Sequence, residues 1–273
     1  MADTSERASS FDTSIPNAAR MYDYWLGGKD NFAADREAAE RSAVAVPQLP
    51  WLARENRRFL GRAVRLCASA GITQFLDIGT GLPTMNSVHQ VARQVTANPR
   101  VVYVDHDPVV VSHARALLTT PRTLAVHGDL TRPDQFLGDP DVRGVIDFSM
   151  PVAVLLVAVL HFVPDEADPA GAVATLRDAM APGSYLVISH VEMSPGQVSG
   201  AQPQTETARE LGEARRGMPP ARARTRDEVA AFFGGMTLVE PGLTDVWAWR
   251  PDADTVVTAG DVMTVLGGVA RKD

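Results

Sequence analysis

Short apolar runs recur along the chain, each closed by a turn signal or an acid and followed by residues at helical spacing. The first is Phe75-Leu76-Asp77-Ile78, closed by Gly79, Gly81 and Pro83-Thr84. Beyond it Val88, Val91 and Val95 recur on one helix face, so residues 74–84 predict a buried strand, a tight glycine turn and a helix start. RVVYVD, at 100–105, predicts a second strand ending in an acid. Asp107-Pro108 then opens a helix, with Asp as its cap and Pro at its first position. Residues 124–127 predict a third strand, followed by Gly128-Asp129-Leu130. Residues 152–159 are apolar without alternation, as a central parallel strand is, and predict a fourth. A helix at about 169–181 stops at Pro182-Gly183, and 185–189 predict a fifth strand. Thr225 and Glu228 stand at capping-box spacing and predict a helix through Phe233. Residues 237–239, 246–249 and 265–270 are the remaining strand candidates, two of them suited to a closing hairpin. Such alternation predicts an α/β protein with a doubly wound, mostly parallel sheet and helices on both faces.

The segments outside this alternation set the expected domain limits. Residues 1–14 are polar and predict no fixed structure. From Pro16 to Glu40 the chain gathers Arg20, Tyr22, Asp23, Tyr24, Trp25, Lys29, Asp30 and Asn31 around Gly27-Gly28. An ordinary covering helix carries a cleaner apolar stripe. The segment is either an amphipathic cap with a turn or a lid whose polar and aromatic groups close over a ligand. Residues 49–70 predict a helix with Leu52, Phe59, Val64 and Leu66 apolar and with Asn56, Arg57 and Arg58 solvated. Residues 1–70 are thus expected to form an N-terminal helical cap, and 71–273 the main domain. An insertion at about 192–223 is rich in Gly, Pro, Gln, Glu and Arg, with one helix near 205–216. Arg209, Arg215, Arg216, Arg222, Arg224 and Arg226 read as a solvated face.

Composition narrows the partners. The 273 residues are 45% hydrophobic and 22% charged, with a net charge of −7, so nothing favours a general nucleic-acid binder. The longest apolar run, 151–163, is too short to span a bilayer, and MADTSERASS lacks the regions of an export signal. Cys67 is the single cysteine. A soluble cytoplasmic protein is expected, with no membrane association. Six histidines show no ligand spacing, so no metal is expected.

The candidate chemistry lies at the strand ends. In a parallel sheet Asp77, Asp105 and Asp129 fall on one rim, beside the crevice where ligands of such folds bind. An ionised carboxylate only accepts hydrogen bonds. One at the end of the second strand suits both hydroxyls of a ribose. One after the third suits an adenine amino group, with the backbone N–H of Leu130 reaching a ring nitrogen. Glycine at positions 79 and 81 permits positive φ and close approach of a ligand to the backbone.

The order DIGTG, YVDHD, HGDL and then an apolar strand ending VLHF resembles the class I S-adenosylmethionine-dependent methyltransferases. More narrowly, ARMYDYWLGGKDN, QFLDIGTGLPT, VVYVDHDP, PVAVLLVAVLHFVPD and PGSYLVISH resemble a bacterial family called S-adenosyl methyltransferase, formerly a domain of unknown function. The likeness runs from about Pro16 to the C-terminus. It implies a Rossmann-like, seven-stranded sheet whose last strand is antiparallel, and S-adenosylmethionine as the cofactor. It implies that Gly79 and Gly81 flank the methionine part, and Arg20, Asp77 and Thr80 are further cofactor-binding candidates. It implies Asp105 on the ribose, His106 beside the adenine, and Gly128, Asp129 and Leu130 at the adenine edge. Pro83 stands where the family's glycine-rich motif often has a third glycine.

Methyl transfer by in-line displacement asks the protein mainly to align the nucleophile. A base is required only for an acceptor that arrives protonated. His161, just past the fourth strand, and Tyr22 and Tyr24 of the lid are the candidates, with His190 at the end of the fifth strand behind them. The expected acceptor is a small molecule. Two other readings share part of the pattern. A nicotinamide-dependent oxidoreductase shares the strand, turn and acid, but Thr84 stands where its third glycine belongs and Gly128-Asp129 has no role in it. A non-catalytic S-adenosylmethionine sensor shares the whole pocket.

Overall fold

The computed structural model describes residues 12–83, 86–117, 120–192, 206–214, 220–253, 255 and 263–273. The expectations for residues 1–11, Thr84, Arg215, Arg216 and most of the 192–223 insertion lie outside the described residues. Helices α1 (Ala18–Trp25), α2 (Ala33–Ala45) and α3 (Leu49–Ser69) precede the first strand. The alternation follows as β1 (Gln74–Ile78), α4 (Val88–Arg93), β2 (Arg100–Asp105), α5 (Pro108–Leu117), β3 (Thr123–His127), α6 (Pro133–Leu137), α7 (Pro140–Val145), β4 (Ala153–Val157), α8 (Pro169–Ala179) and β5 (Tyr185–Glu192). Then come α9 (Glu206–Ala214), α10 (Arg226–Ala231), β6 (Thr237–Leu238), β7 (Thr244–Asp245) and β8 (Thr264–Arg271).

The strand order is β3-β2-β1-β4-β5-β8-β6, with β7 also paired to β8. The five central strands are parallel, and β8 runs antiparallel to β5. The sheet is Rossmann-like and mostly parallel, as expected, but it has eight strands where seven were expected. The additional one is the two-residue β7. Residues 246–249, expected as a strand, form a turn instead, closed by hydrogen bonds from Ala248 and Trp249 N–H to the Asp245 carbonyl. Its apolar residues belong to the core without being extended: Val246 and Trp249 are both fully buried. Arg62 of α3 holds the turn by donating from Nε to the Trp249 carbonyl at 2.8 Å and from a terminal nitrogen to the Val246 carbonyl at 2.6 Å.

Successive side chains of a strand point to opposite faces, and both faces here are covered. Phe75, Val101, Tyr103, Leu155 and Val187 pack against α3 and α4 through Phe59, Val64, Val88 and Val91. Leu76, Val102, Val154, Leu156 and Ile188 pack on the other side with Phe136, Val142, Leu176 and Phe232. Of the residues expected as a cap, α3 therefore lies within the layer covering the sheet. Helices α1 and α2 form a smaller cluster of their own, built on Met21, Ala38 and Ala39. Position sets the site: β1 lies between β2 and β4, so the chain's direction of winding reverses beside it and leaves a crevice above the strand ends.

Candidate functional site

The rim is built from three adjacent strand ends. After β1, the backbone turns at Gly79 (φ +70°) and Gly81 (φ +63°), a conformation that side chains rarely tolerate. Gly79 N–H donates to the Val104 carbonyl at 2.8 Å, which ties the turn to β2. A Cβ on Gly79 would also run into Val159, 2.3 Å away. Asp105, at the end of β2, is 6% exposed. Its Oδ2 accepts from Gly81 N–H at 2.9 Å and its Oδ1 from Asp107 N–H at 3.0 Å. A carboxylate offers about four lone-pair positions. Two are used to shape the turn, leaving about two for a ligand's hydroxyls.

Asp105 pairs with His127 in the sheet register, and Gly128 N–H donates to the Asp105 carbonyl at 3.0 Å. Asp129 therefore lies on the same rim, one strand over. Its Oδ1 accepts from Thr131 N–H at 2.8 Å, an Asx turn that fixes the loop, and Leu130 beside it is buried. Gly128 is required by contact: a Cβ there would meet Val104 at 2.6 Å and Phe136 at 3.0 Å. His106 is exposed, with Nδ1 3.6 Å from Asp105 Oδ1.

Asp77 sits beneath the turn, 5% exposed, and accepts from Thr80 Oγ1 at 3.1 Å. Burial pushes its carboxyl up to about 6, against the pull of the Arg57 charge. Burial likewise holds Asp105 above the usual carboxylate range, partly offset by its two backbone N–H donors.

The N-terminal segment reaches this rim. Asn17 caps α1 by accepting from Ala19 and Arg20 N–H, and its Nδ2 donates to Asp107 Oδ2 at 2.8 Å. Ala19 stands 3.8 Å from where a Cβ on Gly81 would be, so α1 begins directly over the glycine turn. Arg20 is buried, with Nε on Asp35 Oδ2 at 2.6 Å and a terminal nitrogen on the Ile15 carbonyl at 2.7 Å. These bonds join α1 to α2. Asp23 is 3% exposed and accepts from Asp30 N–H and Asn31 Nδ2, closing the turn around Gly28. Much of the polarity that made 16–40 look unusual is thus internal wiring.

The four candidate bases are all engaged. Tyr22 hydroxyl donates to the Ala53 carbonyl at 2.8 Å and accepts from Asn56 Nδ2 at 3.0 Å, and burial raises its pKa. Tyr24 hydroxyl donates to Glu40 Oε1 at 2.8 Å, which raises its pKa. His161 is 7% exposed, its ring tilted on Phe162 and edge-on to His190. His190 is fully buried between the Val191 carbonyl and Arg224, and desolvation lowers its pKa to about 4.

Two expectations of solvated residues are corrected. Asn56 is 4% exposed, because it lies on the face of α3 turned to Ser189 of β5. It accepts from Ser189 Oγ at 2.6 Å while donating to Tyr22, and Ser189 Oγ in turn accepts from Ala158 N–H at 2.9 Å. Ala158 has φ +57°, an unusual conformation for alanine, held here at the end of β4. Arg224 is 3% exposed and binds the Leu160 and Val163 carbonyls, His190 and Asp165. It fastens the segment after β4 to β5. No sequence signal separated Arg224 from Arg222 and Arg226 beside it.

A family model described as S-adenosyl methyltransferase matches residues 4–273. The chain belongs to the S-adenosyl methyltransferase family. It is similar to a methyltransferase candidate from Thermobifida fusca YX, with 40% identity over 96% of this chain and 97% of that one and a TM-score of 0.85. A DUF574 family protein from Streptomyces avermitilis MA-4680 gives 41% identity over 96% of this chain and 99% of that one, with a TM-score of 0.87. A plantazolicin methyltransferase shares the fold alone, at 10% identity and a TM-score of 0.52 over 93% of this chain and 95% of that one. No curated protein matches the chain. The chain is therefore an S-adenosylmethionine-dependent methyltransferase, and the rim fits that cofactor: Asp105 retains unused lone pairs, and the glycine turn exposes backbone beside it. Among the described residues no helix is long and apolar enough to cross a membrane.

Proposed function

We propose that this S-adenosyl methyltransferase methylates a small molecule held between the N-terminal helices and the ends of β4 and β5. The observation that carries this reading is the buried chain Tyr22–Asn56–Ser189–Ala158, which draws α1, α3, β5 and the end of β4 together beside the glycine turn. A site enclosed by helices suits a compact acceptor, and a net charge of −7 disfavours nucleic acid. The same charge and the absence of a spanning helix among the described residues are compatible with a cytoplasmic enzyme.

S-adenosylmethionine, when bound, supplies a methyl carbon on a positively charged sulfur, which is displaced in line by the acceptor's lone pair to leave a thioether. Asp105 accepts the ribose hydroxyls with the lone pairs left free by Gly81 and Asp107. Asp129 and the Leu130 N–H hold the adenine edge. Asp77 and the turn from Gly79 to Gly81 bound the methionine part. Helix α1, lying on the turn, limits access of water. Alignment of this kind lowers a barrier by on the order of 7–11 kcal/mol. Tyr22 stays protonated and His190 stays neutral and tied, so the site favours an acceptor whose nucleophilic atom is unprotonated at neutral pH.

The test is S-adenosylhomocysteine formation, measured by mass spectrometry, with fractions of small metabolites, peptides and RNA offered separately. Turnover confined to the small-molecule fractions is expected. Turnover confined to RNA or peptide overturns the acceptor class.

A further inference from the structure

Among the described residues, Arg57 is a cation at the rim that neither the fold nor the chemistry above has used. It follows Asn56 on α3 and lines a small recess together with Asp77, Thr80, Leu82, Val88 and Tyr103. Its Nε is buried without a hydrogen-bond partner, and its guanidinium makes no hydrogen bond or ion pair with any described residue. Burying part of a guanidinium unpaired is unfavourable unless something of opposite charge completes it. Its field nonetheless acts across the recess, lowering the pKa values of Asp77 and Tyr103 against the effect of burial. Asp77 faces the same space, and one of its two oxygens accepts no hydrogen bond from a described residue.

The recess therefore presents a cation and a buried acid that line one space without pairing, with apolar side chains from Leu82 and Val88 beside them. A group carrying one charge satisfies only one of them. An α-amino acid end carries an ammonium and a carboxylate a few bonds apart and satisfies both. We propose that Arg57 receives the α-carboxylate of the cofactor's methionyl end, and that Asp77 receives its α-ammonium from the facing wall. The proposal rests on the cofactor lying along Asp105 and Asp129. The planar fork of arginine matches a carboxylate with two parallel N–H donors, which a lysine cannot reproduce. Arg57 is then a binding residue that makes the site select adenosyl compounds with an intact amino acid over those without the carboxylate.

The test compares ligands as well as variants by titration calorimetry. S-adenosylhomocysteine, its decarboxylated analogue, which keeps the amine, and 5′-methylthioadenosine are titrated into wild type, Arg57→Gln and Arg57→Lys. Wild type is expected to prefer S-adenosylhomocysteine over the decarboxylated analogue by roughly 10- to 100-fold, the range for a charge-assisted pair. Arg57→Gln should abolish that preference, weakening S-adenosylhomocysteine while the analogue stays within about threefold of wild type. Arg57→Lys should retain part of it. Equal affinity of wild type for the two ligands overturns the proposal without any variant needing to fold. So does an equal loss of both ligands in Arg57→Gln. If wild type binds none of the three, the placement of the adenosyl group along the rim fails instead, a different result from loss of carboxylate selectivity alone.

Discussion

Replacing Asp77 with Asn keeps the shape and the acceptor for Thr80 Oγ1 while removing the charge. Asp77 is 5% exposed, and its carboxyl titrates at about 6 instead of its ordinary 3.8, chiefly through desolvation. A folded-state pKa above the unfolded value means that the folded protein holds this proton more tightly. Asp77 therefore costs little stability below the unfolded pKa, and its cost grows as pH rises through the folded pKa. That displacement corresponds to about 3 kcal/mol near pH 8, and linkage leaves only about 0.5 kcal/mol near pH 4. Asp77→Asn should therefore gain about 2.5 kcal/mol on wild type between those two conditions. Urea unfolding followed by circular dichroism, with the ligand absent, gives the difference at each pH. A gap between variant and wild type that is constant with pH, or that grows toward low pH, would refute a buried, desolvated carboxylate at this position.

Asp105→Ala removes both the ribose acceptor and the anchor for Gly81 N–H, so S-adenosylhomocysteine should bind roughly tenfold or more weakly by calorimetry. An unchanged dissociation constant would remove Asp105 from the site. Gly28→Ala places a methyl group 1.9 Å from Asp23 Oδ1 and should lower stability by roughly 1–3 kcal/mol in denaturant unfolding, by forcing apart the Asp23–Asn31 turn. Asn56→Ala leaves the Ser189 hydroxyl without its buried acceptor and should cost roughly 1–3 kcal/mol, while Asn56→Asp keeps that acceptor and should lose the Tyr22 contact instead. Removing metal with a chelator should leave S-adenosylhomocysteine formation unchanged, since displacement at a methyl carbon on a positively charged sulfur needs no Lewis acid and the contacts proposed for the cofactor are carboxylates, Arg57 and backbone.

The sheet was legible because its signal is local. Five apolar runs bounded by Gly, Pro or Asp became β1 to β5, since a parallel strand buried on both faces is written mostly in apolar residues. The caps at Asp107 and Thr225 were legible for the same reason, each using an oxygen two or three residues from the N–H it binds. The region after Phe233 was less so. Val246-Trp-Ala-Trp249 has the composition of a strand, yet its buried side chains are held by a turn whose carbonyls are taken by Arg62, 184 and 187 residues away in sequence. Nothing within the segment carries that information.

The site divides along the same line. Asp77, Asp105 and Asp129 could be placed on one rim because strand ends in a parallel sheet are neighbours by construction, and the register of β2 with β3 brings the last two together. Asn56, Arg57, Arg58 are consecutive polar residues, and helical spacing alone gives them no order of burial. The tertiary fold does. At 100° per residue, α3 turns Asn56 to Ser189 of β5 and Arg57 to the recess beside Asp77, and leaves Arg58 exposed. One helix turn thus supplies a structural hydrogen bond, a half-buried cation and a solvated charge in adjacent positions. A polar run on a helix that crosses a sheet's ligand rim is therefore better divided by the strand each residue faces than assigned to solvent as a block. By that criterion Asn56 and Arg57, dismissed together from sequence, separate: Asn56 faces Ser189 and Arg57 faces the recess beside Asp77.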